Sequence, residues 1–152
     1  MERLHASCVV IDGHGILLRG PSGAGKSDLA LRLIDQGGQL VSDDYTDIHV
    51  TDAHLMATAP PTIQGLLEVR GVGIVKLPRV EQVAVTALFD LVQGAEVERL
   101  PEAQTDHILG VAVCRYALVA FEASAPAKVR MVIKAQAERR FHSPKPVVTD
   151  RQ

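Results

Sequence analysis

A chain of 152 residues is the length of one ordinary domain, and its 47% apolar content is enough for a substantial core. Aromatic residues make up only 3%, so that core must be assembled from Val, Leu, Ile and Ala, the composition of buried strands in an α/β domain. A net charge of −2 without any long basic or acidic block gives no field for nucleic acid or an anionic membrane. Cys8 and Cys114 lie far apart within apolar segments and read as reduced, buried residues, not as a disulfide or a metal site. No opening segment reads as a signal peptide, and no apolar run reaches the ~20 residues that span a bilayer. The expectation is a soluble, cytoplasmic protein.

Leu4 to Ile11 reads as a strand with His5 at its head, and Asp12-Gly13-His14-Gly15 turns it into a second strand, Ile16-Leu17-Leu18. Gly20-Pro21-Ser22-Gly23-Ala24-Gly25-Lys26-Ser27 follows and fits G-x-x-x-x-G-K-[ST] at every defined position. Its glycines let the backbone turn tightly and aim successive N–H groups at an anion. Lys26 adds a mobile charge for β- and γ-phosphates, and Ser27 a hydroxyl for Mg²⁺. Residues 27–34 have helical apolar spacing, which leaves the phosphates at a helix N-terminus. The glycine loop is therefore expected to bind nucleotide.

Gln36-Gly37-Gly38 ends that helix, and Gln39-Leu40-Val41-Ser42 is a short strand running into Asp43-Asp44. Paired carboxylates at a strand's C-terminal end lie where open α/β sheets place ligands. They can hold Mg²⁺ through water or take a proton from an attacking hydroxyl; the plain alternative is a polar turn. Residues 47–50 and 54–57 form a hairpin around Thr51-Asp52, and Ala59-Pro60-Pro61 is a rigid break. In Leu67-Glu68-Val69-Arg70-Gly71-Val72-Gly73-Ile74, Glu68 and Arg70 would share one face of a strand. They form either an exposed ion pair or a carboxylate for metal with a cation for phosphate. Residues 80–92 alternate as a strand, 94–105 form a polar loop containing Arg99, and 108–113 and 116–120 are further strands. Ser124 is placed to cap a helix that has Pro126 in its first turn and runs to about Arg140; residues 142–152 read as a disordered tail.

The combination of His5, Gly20–Ser27, Leu40-Val41-Ser42-Asp43-Asp44 and the Leu67–Ile74 signature resembles the catalytic domain of the HPr kinase/phosphorylase family. The resemblance covers roughly residues 3–110, with weaker similarity to about 141. It implies a P-loop mixed sheet with flanking helices, like the nucleotide domain of phosphoenolpyruvate carboxykinase, in a catalytic domain at 1–141 and without the family's N-terminal domain. It implies ATP- and Mg²⁺-dependent phosphorylation of a serine on the phosphocarrier protein HPr, and a homohexamer. Residue by residue, Lys26 and the loop hold phosphates, Ser27 and Glu68 serve the metal, and Asp44 is the acid/base residue with His5 beside it. Arg99, in Glu98-Arg99-Leu100, resembles a further catalytic arginine; Asp43 and Arg70 are accessory. The family's basic Gly-Arg-Asn loop after the Leu109–Val113 stretch is missing, and the chain has no Asn, so the reverse phosphorolysis is expected to be weak or absent.

Other readings use the same loop. A small-metabolite kinase needs an arginine-rich lid and a charged pocket after the second strand, where Thr46-Asp47-Ile48 stands instead. A GTP switch needs Asn-Lys-x-Asp, which a chain without Asn cannot carry. A non-catalytic nucleotide sensor is separated from a kinase only by measuring phosphate transfer.

Overall fold

The aliphatic runs near the N-terminus become strands covered on both faces. The computed structural model describes residues 1–142, so the expected tail lies outside the described residues apart from His142. The strands are β1 (Glu2–Leu4), β2 (Ala6–Ile11), β3 (His14–Arg19), β4 (Gln39–Ser42), β5 (Thr46–Thr51), β6 (His54–Thr58), β7 (Leu66–Val69), β8 (Gly73–Lys76), β9 (Gln82–Leu91), β10 (Gln104–Ile108) and β11 (Val111–Leu118). The helices are α1 (Lys26–Asp35) and α2 (Ala125–Glu138). Val9, Ile11, Ile16, Leu18 and Phe89 face a core shared with the helices, while Cys8, Val10, Leu17, Val85 and Leu88 face a second core inside the curl of the sheet. Successive strand residues point to opposite faces, so two covered faces make a continuous apolar run.

The expected single strand from Leu4 to Ile11 is instead broken at His5, a bend where the pairing partner changes. Leu4 pairs with Thr46 of β5, whereas Ala6 pairs with Arg19 of β3 and Cys8 with Ser42 of β4. Thr46 Oγ1 donates to the Ala6 carbonyl (2.7 Å) and Arg3 pairs with Asp47 (2.7 Å), stitching both sides of the bend. The pairings β1–β5, β5–β6, β6–β9, β9–β3 and β3–β2 then form a closed circuit, because β1 and β2 are consecutive segments of one path. β9 serves two neighbourhoods: its first residues run antiparallel to β6, and its last run parallel to β3 and β11. One extra residue, Thr86, stands in β9 opposite the Gly15–Ile16 step. A Cβ at Gly15 would lie 2.6 Å from the Ala84 carbonyl oxygen, so only glycine permits that approach.

α1 buries Leu29, Ala30 and Leu33, and α2 buries Ala125, Val129 and Ile133, all against the first core. Ser124 does occupy the position before α2, but its side chain makes no capping bond; Pro126 stands in the first turn as expected. The loop expected over residues 94–105 gives its last two residues to β10, and the strand expected at 108–113 is interrupted by Leu109-Gly110. Both have positive φ (49° and 80°), the geometry of a two-residue hairpin turn. β11 then runs unbroken past Cys114. Cys8 is buried, with its thiol pushed up by that burial, but Cys114 is exposed, contrary to expectation. β11 has one solvent face, and alternation turns Val113 inward and Cys114 outward. β7 and β8 form a separate hairpin, with Glu68 in β7 and Arg70 in the turn, so the two do not share a strand face as expected. Among the described residues no ion pair joins them, and no helix is long and apolar enough to cross a membrane.

The C-terminal ends of β3 and β9 are tied by charge to each other and to β10 and β11. Asp90 receives Arg19 through Oδ1 (2.7 Å) and Oδ2 (3.0 Å), and Arg115 through Oδ2 (2.6 Å). Arg19 also reaches Asp106 (2.8 Å). Burial alone would raise the Asp90 carboxyl, but the hydrogen bonds from Arg19 and then Arg115 outweigh it and hold the pKa below its ordinary value. A depressed folded-state pKa contributes stability that is present above the unfolded value and lost as pH falls through the folded one. Asp90→Asn should therefore cost most at neutral pH and progressively less below about pH 4. Urea midpoints for both proteins at pH 7 and pH 3 check this; a gap that stays constant would show that the carboxylate's charge is not what ties the strands.

Candidate active site

The bend at His5, the glycine loop and the end of β4 meet at one end of the sheet. The loop Gly20–Ser27 connects β3 to α1, with Gly23 and Gly25 at positive φ (88° and 101°) and Ala24 N–H closing onto the Pro21 carbonyl (3.0 Å). This is the strand–loop–helix arrangement expected from the motif. Lys26 is buried in spite of its charge, because Nζ donates to the Gly20 (2.7 Å) and Pro21 (3.1 Å) carbonyls and stands 3.5 Å from Asp44 Oδ1. The lysine thus folds back over its own loop and points toward the aspartate pair.

The two aspartates are not equivalent. Asp43 is buried, and its carboxylate accepts from Ser7 Oγ (3.1 Å), Ser27 Oγ (2.7 Å) and the Glu68 amide (3.1 Å). Asp44 takes a left-handed backbone (φ 69°), unusual for a residue with a side chain, which turns its carboxylate away from Asp43. Its Oδ1 lies 2.9 Å from His5 Nε2, and its side chain stays about half exposed. Ser7 Oγ accepts the Asp44 amide (2.9 Å), and the Asp43 carbonyl accepts the Tyr45 amide (2.8 Å), fixing the kink from both sides. The Tyr45 ring stacks on the His5 imidazole, with centroids 5.0 Å apart, and Ser42 Oγ holds the Tyr45 carbonyl. Asp43 is therefore enclosed and accepts three hydrogen bonds, whereas the Asp44 carboxylate is half open to solvent.

The structure thus brings together His5, Lys26, Ser27, Asp43, Asp44 and the backbone of Glu68. The side chains of Glu68 and Arg70 are exposed on the β7–β8 hairpin, and Arg99 is exposed in the segment between β9 and β10. None of these three side chains makes a hydrogen bond or ion pair among the described residues. Sequence reasoning missed Ser7 and Tyr45. Ser7 had a signal, since it is the one hydroxyl in an otherwise apolar strand and stands two residues after His5. Tyr45 had none, because a stack across a bend is a tertiary contact. The site also fits a hard divalent cation: a serine hydroxyl, the Asp43 carboxylate it touches and a glutamate anchored to the same carboxylate offer oxygen donors only. Among the described residues there is no group of three or more His, Cys, Asp or Glu forming a complete cage. Such an ion would fill its shell with phosphate and water, the habit of Mg²⁺.

A curled, mixed α/β sheet with a glycine loop beside paired carboxylates defines a recognisable class of domain, and comparison with known proteins narrows it. The sequence model of the HPr Serine kinase C-terminal domain matches residues 1–142, and the chain belongs to that family. The HPr kinase/phosphorylase of Clostridium botulinum (strain Eklund 17B / Type B) is 48% identical over 73 residues, 48% of this chain and 24% of the relative. That of Clostridium tetani is 47% identical over 76 residues, 50% of this chain and 25% of the relative. The matched segment thus spans about a quarter of the length of these curated relatives. The solved Hpr(Ser) kinase/phosphatase from Coxiella burnetii superposes with a TM-score of 0.82 at 28% identity, covering 91% of this chain and 98% of that one.

Ser7 is fully buried and serves both aspartates with one hydroxyl. Ser7→Ala leaves the Asp44 amide without its acceptor and removes one donor from Asp43, at a cost of about 1–3 kcal/mol. Urea denaturation should register that loss. A variant within about 0.5 kcal/mol of the parent, the usual effect of an inconsequential substitution, would show that the kink holds without it.

Proposed function

We propose that this domain is an ATP- and Mg²⁺-dependent protein serine kinase acting on an HPr-like phosphocarrier protein. The observation that carries the reading is Asp44, half exposed, hydrogen-bonded to His5 and 3.5 Å from Lys26 at the end of the glycine loop. A serine hydroxyl is a poor nucleophile, so a carboxylate within hydrogen-bond reach must take its proton as attack proceeds. Asp44 is the base: it accepts that proton while the serine oxygen bonds to the γ-phosphorus and the bond to the β-phosphate oxygen breaks, releasing ADP. His5, held in plane by Tyr45, orients the Asp44 carboxylate. Lys26 exchanges its two loop carbonyls for phosphate oxygens and neutralises charge on the transferring group, where electrostatic stabilisation counts most. Ser27, Glu68 and Asp43 would hold Mg²⁺, which when bound polarises the phosphates. Arg99 is the further catalytic arginine in this reading, and Arg70 an accessory cation; both are unpaired among the described residues and free to meet an anion.

The forward direction is the main one, because the basic loop expected for capture of inorganic phosphate is missing. The reading extends to a cytoplasmic homohexamer. Val72 and Ile74, 74% and 72% exposed on the β7–β8 hairpin, support a contact between copies.

Asp44→Asn keeps size and polarity but cannot take up a proton, so transfer to HPr should fall by roughly 10²–10⁴-fold while ATP binding persists. Mass shifts of HPr after incubation with ATP and Mg²⁺ measure it, and an unchanged rate would move the base elsewhere. Separately, Glu68→Gln should raise the Mg²⁺ concentration for half-maximal transfer. An unaltered Mg²⁺ titration would return Glu68 to the role of an exposed surface carboxylate.

A further inference from the structure

The segment joining β11 to α2 crosses the flank of the glycine loop and presents an aromatic ring there. A Cβ at Gly25 would stand 2.8 Å from Ala120 Cβ and 3.1 Å from Phe121 Cζ, so the Phe121 ring edge rests on the residue that opens α1. Ala120 is buried, yet Phe121 is 66% exposed and has no stacked aromatic neighbour among the described residues. An exposed ring of this kind would ordinarily be free to swing, but its backbone is clamped. Arg32 of α1 donates through Nη2 to the Ala120 carbonyl and through Nη1 (3.2 Å) to the Glu122 carbonyl, one on each side of Phe121. Asp28 braces the same guanidinium (2.9 Å), and Lys128 holds the Glu122 side chain (2.9 Å). The helix that begins at the glycine loop thus fixes the backbone that carries the ring beside that loop.

The sheet order fixes the flank of the loop on which Phe121 lies. Outward from β3, which feeds the loop, lie β2 and β4 on one side and β9 and β11 on the other. His5, Asp43 and Asp44 all belong to the β2–β4 side. A nucleoside triphosphate lying in the loop must direct its γ-phosphate at those carboxylates, so its nucleoside leaves on the opposite flank, where Phe121 stands. We propose that Phe121 is the stacking platform for the heteroaromatic base of the nucleotide. The inference rests on the nucleotide reading of the glycine loop and adds the base subsite to it. Stacking on a ring face tolerates any base, because each has a π-face; ATP and GTP are therefore expected to bind within a few-fold of each other.

The test is calorimetric titration of the purified chain with Mg²⁺ and either ATP or inorganic tripolyphosphate, which has the phosphates but no base. Phe121→Ala should weaken ATP about ten-fold or more, the scale of one lost base–aromatic stack, and leave tripolyphosphate unchanged. Phe121→Tyr should retain ATP affinity. Because the ring is exposed the variants are expected to fold, and circular dichroism verifies it. Equal losses for ATP and tripolyphosphate, or no loss for ATP, would overturn the proposal. So would an unchanged ATP affinity with a raised KM for HPr, which would assign the ring to the protein substrate. If the unsubstituted chain binds neither ligand, the nucleotide reading of the loop itself fails; if it binds both and Phe121→Ala changes neither, only the base subsite fails.

Discussion

A carboxylate removed from water stays charged only if donors replace its hydration. Asp43 meets that condition with three donors from three directions: Ser7 of β2, Ser27 at the start of α1 and the main chain of Glu68 in β7. The three elements also pack in the first core, where Leu67 of β7 lies with Val9 of β2 and Leu29 of α1, although the small β7–β8 sheet is not paired with the main one. Asp43 therefore acts as a polar rivet that holds a loop, a strand end and a separate hairpin to one another. Of the candidate site residues, Ser27 donates to Asp43, Lys26 and Asp44 are sequence neighbours of Ser27 and Asp43, and His5 joins through Asp44.

The second constraint is the closure of the sheet. A strand that ran straight from Leu4 to Ile11 would pair with one neighbour throughout and leave His5 on an open edge. The bend lets β1 pair with β5 while β2 pairs with β3 and β4, and it brings His5 against the turn between β4 and β5. The histidine, Asp44 and Tyr45 thus meet because the sheet closes there. The left-handed backbone of Asp44 is sustained by bonds from both sides, as a conformation unfavourable for a side-chain-bearing residue must be. The same geometry separates the two carboxylates by environment, one enclosed and one open to solvent.

The other flank is governed by arginines. Arg19, the last residue of β3 before the loop, is clamped to Asp90 and Asp106, and Asp90 also holds Arg115. Arg32 performs the corresponding task for the segment around Phe121. The glycine loop is thus tethered at its start by ion pairs among strands and at its exit by a helix-to-carbonyl clamp.

The sequence by itself determined the elements whose signals are local. The glycine loop between an apolar strand and an amphipathic helix, the β4 strand with its Asp pair, and the hairpins turning at Asp12-Gly13 and near Asp52 were legible because side-chain period and turn chemistry act over a few residues. The family signatures pointed to His5, Asp44 and Glu68, of which the structure brings the side chains of His5 and Asp44 and only the main chain of Glu68 to the site. Where several short-range choices were compatible, the outcome belonged to the tertiary structure. The break at His5, the turn at Leu109-Gly110 inside an apolar run, and the solvent-facing Cys114 each depend on which strand lies alongside and which face is covered. Arg70 left the strand face for a turn because β7 and β8 pair with each other and need their reversal there. Ser7 and Tyr45 gained their roles only when residues about forty positions away were brought next to β2 and its bend. Local sequence sets conformational preference, but hydrogen-bond satisfaction and burial are properties of the assembled chain.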